Sequence, residues 1–214
     1  MLTNIHEIKI ISKARQKNVR DPKRSRKHFE NIFNDFFLNK NFNNKIFLDL
    51  GPGQYDFGVL AKERGAKQVY AIDNDEAVIE LGQYKNFNVK FGDLKKLNYD
   101  LFSSKFDGVF CKFSINALWY DNSSFYYNLE RMLTNKGWAW LAPWNGKKKN
   151  SILNQADVAK LLDLQVNEFK KRDFEVFILN EEHQIKYGVH GHVENNILIT
   201  KNLKCNILKK LTKI

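Results

Sequence analysis

The hydrophobic positions fall into two alternating periods along the chain. Phe29, Ile32, Phe33, Phe36 and Phe37 recur at helical spacing, so a helix is predicted from Pro22 to about Leu38. Pro22 suits its first turn, and a short basic helix is predicted before it, over residues 12–20. Ile46-Phe47-Leu48-Asp49-Leu50 is a short apolar run of the kind a buried strand presents. Beyond it the chain alternates. Helices are predicted over 55–64, 76–83, 125–133 and 152–169, the third stopped by Asn135-Lys136-Gly137. Strands are predicted over 68–72, 89–91, 106–113, 138–142, 174–179 and 196–200. Alternation from 46 to 142 predicts an α/β fold, a doubly wound and mostly parallel sheet covered on both faces. The 16 residues between the last two strands are tight for a crossover helix, so this final pair is expected to run antiparallel.

Composition narrows the class. The chain has 214 residues, 43% hydrophobic and 14% aromatic, which is material for a single domain with one sizeable core. A disordered chain would lack those aromatics, and 11 Gly with 3 Pro exclude a collagen-like repeat. The longest dense apolar stretch, Trp138 to Trp144, is far short of the roughly 20 residues that span a bilayer. The first residues have no apolar core of a signal peptide, and two cysteines cannot frame a disulfide scaffold, so a cytoplasmic setting is expected.

The net charge of +11 is concentrated at the ends. Residues 1–28 hold nine Lys/Arg against two acids, and residues 201–214 hold five Lys and no acid, which leaves the middle near neutral. Basic ends suit an anionic partner, such as RNA, an acidic surface or a phosphorylated substrate, and they equally suit a solvated surface.

Four chemical signals lie at the predicted C-terminal ends of successive strands, where open α/β sheets collect ligands. Asp49-Leu50-Gly51-Pro52-Gly53 closes the first strand and opens a helix, with glycines where a ligand approaches backbone closely. The dinucleotide fingerprint wants a small residue three positions after the second glycine, and Asp56 stands there. An acid at that helix end repels a pyrophosphate, so a nicotinamide or flavin dinucleotide is disfavoured. No Gly-Lys-Ser/Thr follows, which disfavours an NTPase. A cofactor without phosphate and with a positive centre suits the turn better. Asp73, 22 residues after Gly51, stands where an acid accepts from two ribose hydroxyls, with Asn74 beside it. Asp93-Leu94 follows the third strand, where a carboxylate can accept from an adenine amine. The fourth strand runs from Phe106-Asp107 to Cys111-Lys112-Phe113.

In IFLDLGPGQ, YAIDND, FGDL, FDGVFCKF and LERMLTNKGWAWLAP the chain resembles the class I S-adenosylmethionine-dependent methyltransferases, over residues 46–142. The resemblance implies a Rossmann-like seven-stranded sheet with an antiparallel last strand. It also implies a methyltransferase domain over 41–214, preceded by a basic helical lid over 1–40 within the same single domain. By position, Asp49, Gly51, Pro52 and Gly53 would line the methionine end of S-adenosylmethionine, Asp73 the ribose, and Asn74, Asp93 and Leu94 the adenine. Cys111 joins them at the end of the fourth strand. Many members carry a further glycine where this chain has Tyr55, which is thereby a candidate for the substrate side. Lys112, Asn116, Trp119 and Tyr120 occupy a region that contacts the acceptor in this family.

The acceptor itself is less legible. His190 and His192, on a glycine-flanked loop before the last strand, are candidate general bases, since neutral imidazole is a competent base near neutral pH. Their spacing could also serve a metal, but no third ligand is within sequence reach, so none is expected. No Asn/Asp-Pro-Pro-Tyr/Phe follows the fourth strand, which disfavours base-amine methylation. No Pro-Cys supplies the thiolate of cytosine-carbon methylation, and the Lys-Asp-Lys-Glu set of ribose methyltransferases is unmatched. A small-molecule or sugar acceptor, methylated on O or N and optionally phosphate-bearing, is therefore expected. The alternatives are an RNA methyltransferase with basic arms and a non-catalytic nucleoside- or anion-binding module.

Overall fold

The computed structural model describes residues 22–37, 41–94, 105–112, 123–142, 164, 166–179, 197–200 and 211–213. The elements in chain order are α1 (Pro22–Phe36), β1 (Ile46–Leu50), α2 (Asp56–Glu63), β2 (Gln68–Asp73), α3 (Glu76–Tyr84), β3 (Asn88–Phe91), β4 (Phe106–Lys112), α4 (Ser123–Met132), β5 (Leu133–Ala142), β6 (Glu175–Leu179), β7 (Ile197–Thr200) and β8 (Leu211–Lys213). The predicted helix over 12–20 lies outside the described residues. Of the one predicted over 152–169, only 164 and 166–169 are described, and they are helical.

One mixed sheet runs through the molecule in the order β3-β2-β1-β4-β5-β7-β6-β8. The first five strands in that order pair in parallel. β7 is antiparallel to both β5 and β6, as the short connection between the last two expected strands requires.

The seven expected strands are all present as β1 to β7. Two features go beyond the expectation. Among the described residues Leu211–Lys213 adds an eighth, antiparallel edge strand to β6. Part of the basic C-terminal stretch is thus sheet. The Asn135-Lys136-Gly137 segment is not a helix stop either, since α4 passes directly into β5. Pairing jumps from Phe106↔Leu133 to Gly108↔Trp138, so the polar residues between are an irregularity carried inside the strand.

Side-chain alternation splits the core into two layers. On one face Phe47, Val69, Ala71, Phe110, Trp138 and Trp140 pack under α1, α2 and α3. On the other, Leu48, Leu50, Ile72, Val109, Cys111, Ala139 and Leu141 pack under α4 and the helical turn at Val166–Phe169. The apolar stripe of α1 is part of the first layer. Phe29 meets Phe110, while Phe36 and Phe37 meet Trp140, so the helix crosses from β4 to β5. Phe29, Phe33 and Phe37 are buried core residues. Arg64 ties α2 to this helix by donating to Phe33 O at 3.2 Å and to Asn34 Oδ1.

Candidate cofactor site

Asp49 pairs with Ala71 across β1 and β2, and Asp73 stands two residues further along β2. The period of two therefore puts both carboxylates on one face, at adjacent strand ends. Between them the chain turns. Gly51 and Gly53 both have left-handed backbone, φ 69° and 55°, which glycine adopts without steric cost. Gly51 N donates to Ile72 O at 2.9 Å, clasping the turn to the end of β2. A Cβ placed on Gly53 would meet nothing within 4 Å, so the turn borders open space on that side.

The electrostatics of this corner are negative. Asp49 is 3% exposed, and its Oδ2 has no hydrogen-bond partner. Burial, then Asp73, then Asp56 raise its carboxyl well above the usual range. Burial also raises Asp73, against the opposing pull of the Asp75 and Asn74 backbone N–H groups. Asp73 Oδ1 accepts from Asp75 N at 2.9 Å, and Asp75 Oδ1 accepts from Ala77 N at 2.9 Å to cap α3. Gly92 N donates to Asp73 O at 3.0 Å, which brings the Asp93-Leu94 segment beside the end of β2. Asp93 and Leu94 are half-buried there, and Asn74 is exposed. Such a corner suits a cation that can donate hydrogen bonds. Among the described residues no three His, Cys, Asp or Glu side chains gather to hold a metal ion. The orphaned oxygen of Asp49, the second carboxylate and the open side of Gly53 fit the positively charged, hydroxyl-bearing adenosyl sulfonium.

Tyr55 is not on the substrate side. Its ring is fully buried, stacks on Phe87 at 4.9 Å, and donates its hydroxyl to Val78 O at 3.0 Å. The position a further glycine takes elsewhere has φ 65° here, and the side chain is threaded beneath α3 against Gly82. Cys111 is fully buried on the Leu48 face, and burial, then Asp49, push its thiol up, so it packs as a neutral group. Asp107 sits at the opposite end of the sheet, where it accepts from Ile46 N at 2.9 Å and pairs with Lys45 at 3.2 Å. Lys112 ends β4. Asn116, Trp119, Tyr120, His190 and His192 lie outside the described residues. Asp56 was missed as a member of the site. The signal for it was the misfit of an acid to a pyrophosphate turn.

Residues 48–141 match the family model described as Methyltransferase domain. A ribosomal protein L11 methyltransferase of Prochlorococcus marinus (strain MIT 9301) is 32% identical over 136 residues, 58% of this chain and 43% of that protein. A second, from strain MIT 9515, is 39% identical over 72 residues, 34% of this chain and 23% of that protein. The chain thus spans less than half the length of the curated relatives it matches. Among solved structures, an S-adenosylmethionine-dependent methyltransferase from Aquifex aeolicus shares the fold with TM-score 0.55 at 16% identity, over 88% of this chain and 96% of that one. Magnesium protoporphyrin IX methyltransferase from Synechocystis PCC 6803, solved with the cofactor bound, has TM-score 0.52 at 15% identity, over 94% of this chain and 86% of that one.

Proposed function

We propose that the protein transfers a methyl group from S-adenosylmethionine to an oxygen or nitrogen atom of a small molecule or sugar. The observation that carries this reading is the pair of carboxylates, Asp49 and Asp73, on one sheet face about a glycine turn, one of them with a buried oxygen lacking a donor. When bound, the cofactor supplies an electrophilic methyl on a sulfonium. The chain's own residues bind and orient. Asp73 would accept from the ribose hydroxyls, Asp93 and Leu94 with Asn74 would meet the adenine, and the glycines would admit the methionine end against Asp49. Methyl transfer needs mainly that donor and acceptor be held in line in a dry pocket. A hydroxyl or protonated amine acceptor also needs a base, the role given to His190 or His192.

A second reading, transfer to a protein, is favoured by the names of the curated relatives, ribosomal protein L11 methyltransferases. Those proteins share only part of their length with this chain, which leaves their acceptor open here. Incubation with labelled cofactor and a panel of sugars, sugar phosphates, small hydroxy compounds, ribosomal protein L11 and RNA separates the readings. Label in a small molecule supports the proposal, and label only in L11 or RNA overturns its acceptor. Against the accepted substrate, His190→Ala or His192→Ala should lower kcat about 100-fold with cofactor affinity kept. Unchanged turnover in both would remove the histidines from the mechanism.

A further inference from the structure

Asp49 is the buried carboxylate among the described residues. It is 3% exposed, shares the face of Phe47 beneath α1 and α2, and keeps one oxygen without a hydrogen bond. A buried ionised carboxylate in that condition is costly unless a cation or hydrogen-bond donors compensate it. Among the described residues, the titratable groups that face it do not compensate. Asp73 faces it from β2 and Asp56 from the start of α2, both of them acids. The Tyr55 phenol and the Cys111 thiol also interact with it, and each would only add negative charge on ionising.

We propose that Asp49 is a proton-linked counter-ion, protonated in the cofactor-free protein and ionised when the cationic methionine end of the cofactor binds. The inference rests on the cofactor reading above. The balance is simple: the O–H bond of the Asp49 carboxyl breaks, its proton passes to buffer, and the electron pair left on oxygen faces the incoming ammonium or sulfonium. Ligand affinity then rises with pH, by at most about tenfold per pH unit, until the free protein loses the proton unaided. Asp73 meets hydroxyls and not a cation, so it contributes little to the linkage.

Titration calorimetry of the full chain, run from about pH 5 to pH 8 in pairs of buffers of different ionisation enthalpy, reads the proton count directly. With S-adenosylmethionine the count should pass through a maximum approaching about one proton released per cofactor. Adenosine, which lacks the methionine moiety, should bind with no release. Asp49→Asn should abolish the release and weaken S-adenosylmethionine while leaving adenosine affinity unchanged. Infrared spectra of wild-type protein carrying labelled aspartate give a reading that needs no variant: a protonated carboxyl band should be present without cofactor and vanish on its addition. Buffer-independent heats throughout, a release that survives in Asp49→Asn, or no protonated band would each overturn the inference while the cofactor reading stands. Failure of both ligands to bind would overturn the cofactor reading itself.

Discussion

Asp49 and Tyr55 are six positions apart and show how burial decides a residue's role. Burial raises the Asp49 carboxyl, so the native state keeps a proton that the unfolded chain has already lost. The contribution of Asp49 to stability is therefore fully present below the ordinary carboxylate range and is lost as pH rises through the raised value, with Asp73 adding the same sign. Urea unfolding of the cofactor-free protein at several pH values checks this, and Asp49→Asn should flatten most of the slope. Tyr55 spends its hydroxyl on Val78 O. Tyr55→Phe should cost about 1 kcal/mol of stability and leave cofactor affinity unchanged, because the ring takes no part in the site. A loss of cofactor affinity without a loss of stability would make Tyr55 part of the cofactor site. Sequence reasoning placed Asp49, Asp73 and Asp93 correctly at strand ends because strand period and glycine turns are local signals. It misplaced the Tyr55 side chain because only the packing of α3, with Gly82 leaving room for the ring, decides where that side chain goes.

The elements were legible in proportion to how strongly a single period marked them. The α1 stripe and the IFLDL run fixed a helix and a buried strand within two residues of their observed ends. The start of β5 was not legible, since Thr134 to Gly137 has the composition of a helix stop while its neighbours hold it in the sheet. β8 is three residues of a basic stretch, and only its pairing with β6 makes it a strand. Packing, and not propensity, holds α1 in place. Phe33 is fully buried among Phe37, Phe42 and Phe57, so Phe33→Ala should destabilise the protein by about 3–5 kcal/mol, measured by denaturant unfolding. A loss under 1 kcal/mol would mean that α1 is not part of the core.

At the scale of the whole molecule, the parallel strands β1, β2, β3 and β4 end at one side of the sheet, and three of the four sequence signals meet there. The acidic corner they build lies inside a chain of net charge +11. That contrast argues for a small cation held by a local arrangement, since the overall field would repel it. Equilibrium binding of S-adenosylmethionine to the wild-type chain and to Asp73→Ala tests the central claim most directly. The account predicts saturable one-to-one binding to the wild type, weakened at least about tenfold by the substitution through loss of charged hydrogen bonds to the ribose. Folded wild-type protein that shows no saturable binding, or an Asp73→Ala variant that binds as tightly, would contradict it.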